Sequence, residues 1–379
     1  MTVYDALVVG VGSMGSAALY QLAARGATVL GLEQFDVPNT LGASLGTNRI
    51  IRLAYSEHPD YVPLLHRAYA LWREIEALAG ESLLVITGSV DVGTPDSWTV
   101  TGSRRACDEH GLAHEVLDAR AMAQRFPGYR LAADMVAVHQ PQGGFVMSER
   151  CVVAYTMAAL DRGAEVHGRE RVLSWDVRRD HVRVISTAGE YRTRRLILCA
   201  GPWTGRLLPQ VAKLAVPERQ VLLWAQPRRA ELFTPGRFPV FNMEAPEGRF
   251  YGFPISGVPG FKIGKYHHLQ EIVDPDRLQR DCDERDEAVM RAGIRRYFPE
   301  ADGPTLAMKA CMFTNSPDEH FIIDRHPDAP EVLLAAGFSG HGFKFCSVIG
   351  EVLADLALKD GTDWNIGLFR LNRPALSGP

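Results

Sequence analysis

Asp5-Ala-Leu-Val-Val-Gly-Val-Gly-Ser-Met-Gly15 joins an apolar, β-branched run to three glycines at GxGxxG spacing. Ala6 to Val9 reads as a buried parallel strand, since a strand covered on both faces shows no polar alternation. After the glycines, Ser16 to Ala24 is predicted helical from its good helix formers, and Gly26 closes it. Ala27 to Leu32 reads as a second buried strand ending at Glu33, which completes a βαβ unit. A helix N-terminus offers unpaired N–H groups and the positive end of the helix dipole, which together suit a phosphate. Gly10 permits the tight turn, Gly12 brings backbone close to the phosphates, and Gly15 lets the helix pack on the strand. Ser13 and Met14 complete that turn. The Glu33 carboxylate would accept hydrogen bonds from a ribose hydroxyl and repel a 2′-phosphate. Strand, glycine turn, helix, second strand and acid occur together, which sets this segment apart from an ordinary glycine turn. The motif alone does not separate a nicotinamide from a flavin dinucleotide.

Two further strand–glycine junctions lie far downstream. Leu196 to Ala200 leads into Gly201-Pro-Trp203, and Val332 to Ala336 leads into Gly337-Phe-Ser-Gly-His-Gly-Phe-Lys344. Val348 to Leu358 then carries helical spacing. One nucleotide-binding sheet is therefore expected from the start, middle and end of the chain. Residues 86–145 and 218–315 instead hold short alternating runs with prolines and glycines, as an antiparallel sheet requires. Asp274 to Tyr297 is charged and predicted helical, starting at Asp274-Pro-Asp; Leu371 to Pro379 is expected to be irregular. The expected fold is α/β with two domains: a Rossmann-like dinucleotide domain from 1–85, 146–217 and 317–379, and an antiparallel-sheet substrate domain from 86–145 and 218–316.

Bulk properties narrow the function. The 379 residues are 46% hydrophobic and 23% charged, with a formal net charge of −4. That is a globular composition with no reason to expect a nucleic-acid partner. No apolar run approaches the ~20 residues of a membrane span. The chain passes from Met1 straight into the first strand, and its last three residues form no targeting tripeptide, so a cytoplasmic protein is expected. The six cysteines show no Cys-x-x-Cys pair and are expected as free thiols; no metal-ligand spacing accompanies His267-His268.

Long ordered strings then carry a resemblance. They are Val9-Gly-Val-Gly-Ser-Met-Gly15, Arg49-Ile-Ile-Arg-Leu-Ala-Tyr55, Tyr251-Gly-Phe-Pro254, Cys311-Met-Phe-Thr314, Asp318-Glu-His-Phe-Ile-Ile-Asp324, Gly337 to Phe345, and Asn372-Arg-Pro-Ala-Leu376. The chain resembles, nearly end to end, the monomeric sarcosine oxidase and N-methyltryptophan oxidase family of D-amino-acid-oxidase-like flavoproteins. The resemblance implies FAD, attached covalently through a cysteine that matches Cys311. Lys309 is a basic neighbour that would help its thiolate form. It also implies FAD contacts from Arg49, Trp203, Gly337, Gly340, Gly342, Phe343 and Lys344.

On the substrate side, Arg52 and Lys344 match the family's carboxylate holders, with Tyr251 and Phe313 beside them and Glu57 bracing the arginines. A guanidinium fork binds a carboxylate bidentately, and a lysine adds a point charge. Lys262 matches the lysine that promotes reaction with oxygen, and Arg49 would favour an anionic reduced flavin. His267 is the first choice for the family's active-site histidine, with Lys265, Tyr266 and His268 as rivals. Three positions depart from the family pattern: Leu45 for a histidine, Asn48 for a threonine and Phe313 for a tyrosine. They make the pocket more apolar, so sarcosine is not assumed to be the best substrate.

The expected reaction is oxidation of a secondary amine or N-methyl amino acid to an imine. The imine hydrolyses to an aldehyde or oxo acid plus amine, while O2 becomes H2O2. The expected partners are a small-molecule amine and O2, and the family points to a monomer. Rival readings are an oxidase of cyclic imino acids (proline or pipecolate) or of sugar–amino acid adducts, and a flavin dehydrogenase passing electrons to another carrier. A non-catalytic FAD-binding protein and an NAD-dependent dehydrogenase complete the alternatives; the C-terminal glycine turn favours flavin.

Overall fold

The computed structural model describes residues 2–376; Met1 and residues 377–379, on which the expectations for both termini partly fall, lie outside them. β1 (Val3–Val9) runs to the glycine turn, α1 (Ser13–Ala23) follows, and β2 (Val29–Leu32) completes the unit. α1 starts three residues earlier than expected, directly after its N-cap Gly12. β1 lies between β2 and Glu190–Leu198, parallel to both. Glu165–His167 extends the sheet beyond β2, and Ala329–Ala336 extends it beyond Glu190–Leu198, again parallel. Segments from the start, middle and end of the chain thus share one sheet. Antiparallel pieces close its edges: Ile322–His326, and the hairpin Val172–Val177 with Val182–Ser186. Ala17, Leu19 and Leu22 of α1 pack with the helices Ser148–Leu160 and Cys346–Lys359 in one apolar core.

The second sheet has eight strands and one exception to the antiparallel expectation. Val240–Ala245 runs parallel to Ser89–Gly93. This joint is where the chain segments 89–140 and 216–315 meet, and no hairpin can connect strands that far apart in sequence. Alternation divides the sheet's faces. Val90, Phe241, Phe250, Phe261 and Ile263 pack on Met290 and Ile294 of the helix Glu284–Tyr297. Asp91, Asn242, Tyr251, Phe253 and Lys262 occupy the opposite face. That helix begins ten residues later than expected. Asp274 caps only a single 3-10 turn, Pro275–Arg277, whereas Asp283 and Asp286 form a reciprocal capping box at the true start.

A small third sheet pairs Gly144–Val146 with both Arg49–Ile51 and Leu84–Ile86. The expected domain cuts at 85/86 and 145/146 fall inside its strands, so chain from both proposed domains is hydrogen-bonded here. The C-terminal segment includes one 3-10 turn, Pro374–Leu376. Just before it, Arg373 donates to both Asp318 oxygens at 2.7 and 2.8 Å and to the Phe321 carbonyl at 2.8 Å, tying the tail to the string around Asp318. No helix among the described residues is long and apolar enough to cross a membrane. The six cysteines carry free thiols.

Candidate active site

The glycine turn is built as the motif demands. Gly10 has φ +90°, and a Cβ there would meet the Cys199 carbonyl oxygen at 2.5 Å. A Cβ on Gly15 would lie 1.8 Å from the Gly10 oxygen, so this glycine lets α1 seat on the turn. A Cβ on Gly12 would have Ser44 Oγ at 3.7 Å as its nearest neighbour. The Ser13 N–H donates to that Ser44 Oγ at 3.3 Å, and the next N–H groups, of Met14 and Gly15, are available to an anion.

A cavity of about 410 Å³ starts at this turn. Gly10, Gly12, Ser13, Met14 and Glu33 line one end. Glu33 accepts from the Val11 N–H at 2.9 Å and the Phe35 N–H at 3.0 Å. Burial pushes its carboxyl pKa up against those two bonds. Trp203 adds a wall, edge-on to Phe35 at 5.3 Å. Met312, Phe313, Arg49, Gly337, Gly340 and Gly342 continue the lining to Phe343. The shape is long, its phosphate end is donor-rich, and its ribose end holds an acid, so the residues present fit an extended dinucleotide such as FAD. Gly15 does not line the cavity; its part is helix packing.

Arg49, Gly340 and Phe343 also line a second, smaller cavity. Arg52, Lys344, Tyr251, Phe253, Asn242, His341 and Tyr266 form its remaining charged, polar and aromatic walls. Arg52 is 2% exposed and strongly held. It donates to the Ala54 carbonyl at 2.6 Å, Ser56 Oγ at 3.2 Å and Glu57 at 2.9 Å, and its Nε lies 3.5 Å from Asp91. Burial alone would raise the Glu57 pKa, but Arg52, His341, Arg249 and Lys344 hold it well below the carboxylate range. Lys344 Nζ donates to the His341 carbonyl at 2.7 Å, its single hydrogen bond among the described residues. Burial, with Arg52 nearby, pushes the Lys344 pKa down to about 7.

Sequence reasoning missed several groups here. His341 Nε2–H donates to the Glu319 carbonyl at 2.8 Å, so its Nδ1 accepts from the Tyr55 hydroxyl at 2.6 Å. Burial pushes its pKa down to about 4, which leaves a neutral ring with both nitrogens occupied. Asp91 is fully buried and accepts from Ser103 at 2.8 Å and Asn242 at 3.1 Å. Glu149 accepts from the Gly46 N–H at 2.7 Å and fixes the loop ahead of Arg49.

His267 is placed differently from its expected role. It lines neither cavity; Tyr266 does. The His267 backbone has φ +53°, and both ring N–H groups donate to carboxylates, Glu218 at 2.9 Å and Glu319 at 2.8 Å. Those two acceptors raise its pKa to about 9. It is a protonated bridge between two chain segments. His268 donates to Asp286 at 2.9 Å in the interior, and Lys265 lines neither cavity. The parity of the sequence carried the signal: Lys262, Gly264 and Tyr266 are two apart and share a face.

Lys262 is fully enclosed. Its Nζ donates to the Gly46 carbonyl at 2.6 Å, the Asn48 carbonyl at 2.9 Å and Asn48 Oδ1 at 2.7 Å. Burial pushes its pKa well down, and Arg49 adds to that. Arg49 donates to the carbonyls of Ala43, Leu45 and Asn48, so its charge is locked in place. Cys311 is 2% exposed and lies in one apolar cluster with Leu45, Tyr251 and Phe313. Burial raises its thiol pKa, opposed by Arg49, Lys262, Arg219 and Arg280 rather than by the sequence neighbour Lys309. Cys311 is not among the lining residues of either cavity; Met312, Phe313 and Thr314 of the same strand line the larger one.

The comparisons agree with this geometry. The family model "FAD dependent oxidoreductase" matches residues 5–356. A monomeric sarcosine oxidase of Streptomyces avermitilis is 41% identical over 377 residues, covering 98% of each chain. An N-methyl-L-tryptophan oxidase of Yersinia pestis is 32% identical over 373 residues, covering 98% of this chain and 99% of that one. The crystal structure of NikD, an unusual amino acid oxidase essential for nikkomycin biosynthesis, superposes with a TM-score of 0.84 at 27% identity, covering 98% of both chains. The chain belongs to the FAD-dependent oxidoreductase family, in the branch that holds the monomeric sarcosine oxidases and N-methyl-L-tryptophan oxidases.

Proposed function

We propose that the protein is a monomeric FAD-dependent oxidase of a secondary amine or N-methyl amino acid, with O2 as acceptor and the flavin attached through Cys311. The observation that carries this reading is the small charged cavity sharing Arg49, Gly340 and Phe343 with the dinucleotide cavity. A substrate held there meets the far end of a dinucleotide whose phosphates rest on α1. The bound FAD supplies two-electron oxidation of a C–N bond and returns the electrons to O2.

The chain's own residues orient the substrate. Lys344 has two donors left for the substrate carboxylate, and Arg52 adds its charge from behind. Tyr251, Tyr266 and Phe253 wall the alkyl part and exclude water. Holding the reacting carbon in place removes the entropy of encounter. The amine must arrive neutral. His341 cannot act as its base, because both ring nitrogens are engaged. The Arg49 guanidinium at the cavity junction stabilises negative charge as it develops, and Lys262, which lines neither cavity, holds the Gly46–Asn48 loop behind it. The substrate imine then takes up water to give an aldehyde or oxo acid plus amine, and O2 leaves as H2O2.

The test is acid precipitation of the purified holoenzyme, followed by anaerobic titration with N-methyl amino acids, proline and pipecolate. The expected result is yellow colour in the pellet, bleaching by N-methyl amino acids and one H2O2 per amine oxidised on admitting air. Bleaching without oxygen uptake would identify a dehydrogenase. No bleaching by any of these amines would overturn the amine reading, and colour in the supernatant would overturn the covalent link.

A further inference from the structure

Arg249 packs against a wall of the substrate cavity without itself lining it, and it has no part in the scheme above. It lies on the strand Gly248–Phe253, two and four residues before Tyr251 and Phe253, so the three side chains share a face. Tyr251 and Phe253 line the cavity. The Arg249 guanidinium packs 3.9 Å from the ring centroid of Tyr266, another lining residue, and 4.7 Å from that of Trp98. Trp98 is 43% exposed. Arg249 therefore sits between a ring of the cavity wall and a surface ring.

Its side chain is 18% exposed, yet among the described residues it makes no hydrogen bond. Two carboxylates form ion pairs with it without a hydrogen bond, Glu57 at 3.7 Å and Glu319 at 3.5 Å. Both are engaged elsewhere, Glu57 by Arg52 and Glu319 by His267. The contrast with Arg219 is direct: that guanidinium pairs bidentately with Asp286 at 2.8 Å on each arm. A guanidinium stacked on aromatic rings keeps its N–H edge for a planar anion. Its five donors match a carboxylate better than a hydroxyl or an amide.

We propose that Arg249 is a specificity-determining residue that receives a second carboxylate of the substrate, making N-alkyl dicarboxylic amino acids the favoured substrates. This rests on the amine-oxidase reading, in which Lys344 and Arg52 hold the α-carboxylate. The diacid then spans the cavity from Lys344 to Arg249, with the reacting C–N bond between its two anchors.

The test uses the flavin spectrum of the purified holoenzyme at constant ionic strength. Unreactive pairs, propionate against succinate and butyrate against glutarate, are titrated into wild type, R249M and R249K. Steady-state kcat/KM is measured for N-methylalanine against N-methylglutamate. A charge-assisted bidentate contact predicts a diacid preference of about ten- to a hundredfold in wild type. R249M should bring both ratios close to one, and R249K should restore part of them. Wild type with no diacid preference overturns the proposal, as does a preference that survives in R249M. An equal weakening of both acids in R249M also overturns it, because that is the signature of a brace for Tyr266. The titrations need no turnover, so the two readings fail separately. Diacid preference without bleaching by any amine removes the oxidase reading, and the substrate claim with it, but keeps Arg249 as the second-carboxylate anchor. Bleaching by N-methyl amino acids without diacid preference removes this inference alone.

Discussion

At the scale of single residues, the site depends on which charges are fixed and which are available. His267 and Lys344 illustrate the two cases. Hydrogen bonds to Glu218 and Glu319 raise the His267 pKa from 6.5 to about 9. A group with a raised folded pKa gives its full stabilisation below its unfolded value and loses it as pH rises through the folded one. H267A should therefore lower the melting temperature at pH 6, with the difference vanishing near pH 10. Its kcat/KM for the amine should stay within about threefold of wild type, since the ring lines neither cavity; a hundredfold fall would return His267 to the active site. Lys344 runs the other way. Burial lowers its pKa to about 7, so its charge fades above neutrality. The dissociation constant of a carboxylate ligand should rise by up to tenfold per pH unit above about 7. K344M should flatten that rise, and an unchanged profile would place the carboxylate elsewhere. Arg52 and Lys344, which line the smaller cavity, stand in strings that resemble a family, whereas Lys262 stands in none of them and lines neither cavity. Arg249 and Asp91 were hidden from such matching: each belongs to no motif, and only pairing across two distant segments sets Asp91 behind the lining residues Asn242 and Arg52.

At the scale of elements, the glycine turn and the capped helix show what sequence patterns resolve. The βαβ unit was readable because its steric demands admit few alternatives, as the Gly15–Gly10 contact shows. The helix Glu284–Tyr297 was readable in kind but not in its start. Asp274-Pro-Asp and Asp283-x-x-Asp286 both resemble helix starts, and only the second meets a helix. The two aspartates of that box do different work, which separates capping from burial. Asp283 is exposed and serves the backbone, so D283A should lower the midpoint of chemical denaturation only slightly. Asp286 is 2% exposed and pairs with Arg219 and His268. D286A would leave the buried Arg219 guanidinium with only the longer Glu271 contact at 3.4 Å for its charge, and should cost roughly 3–5 kcal/mol. Equal costs for the two variants would mean that the Arg219 pair relaxes into solvent. The parallel joint between Val240–Ala245 and Ser89–Gly93 was beyond reach, because local alternation reports faces and not strand order.

At the scale of the whole molecule, the dinucleotide cavity is a seam. One side is the glycine turn of β1 and α1, and the other is Met312 to Thr314 of the second sheet. Gly337 to Phe343 returns from the end of the chain to close it. The third sheet bonds Arg49–Ile51 to Gly144–Val146, so Arg49 is held by the strand network that links both halves. A ligand filling such a seam stabilises both halves together. Cys311→Ala gives the test, because it removes the proposed covalent link and lets FAD exchange. At a hundredfold excess over its Kd, FAD should stabilise this variant by about 2.7 kcal/mol over its flavin-free form. Calorimetry should show the entire unfolding transition moving to higher temperature as FAD is added. If only part of the heat absorption moved, the flavin would be binding to the first sheet alone, and Met312 to Thr314 would be bystanders. Colour that stays with the acid-precipitated C311A pellet would place the covalent attachment at another residue, while leaving the seam intact.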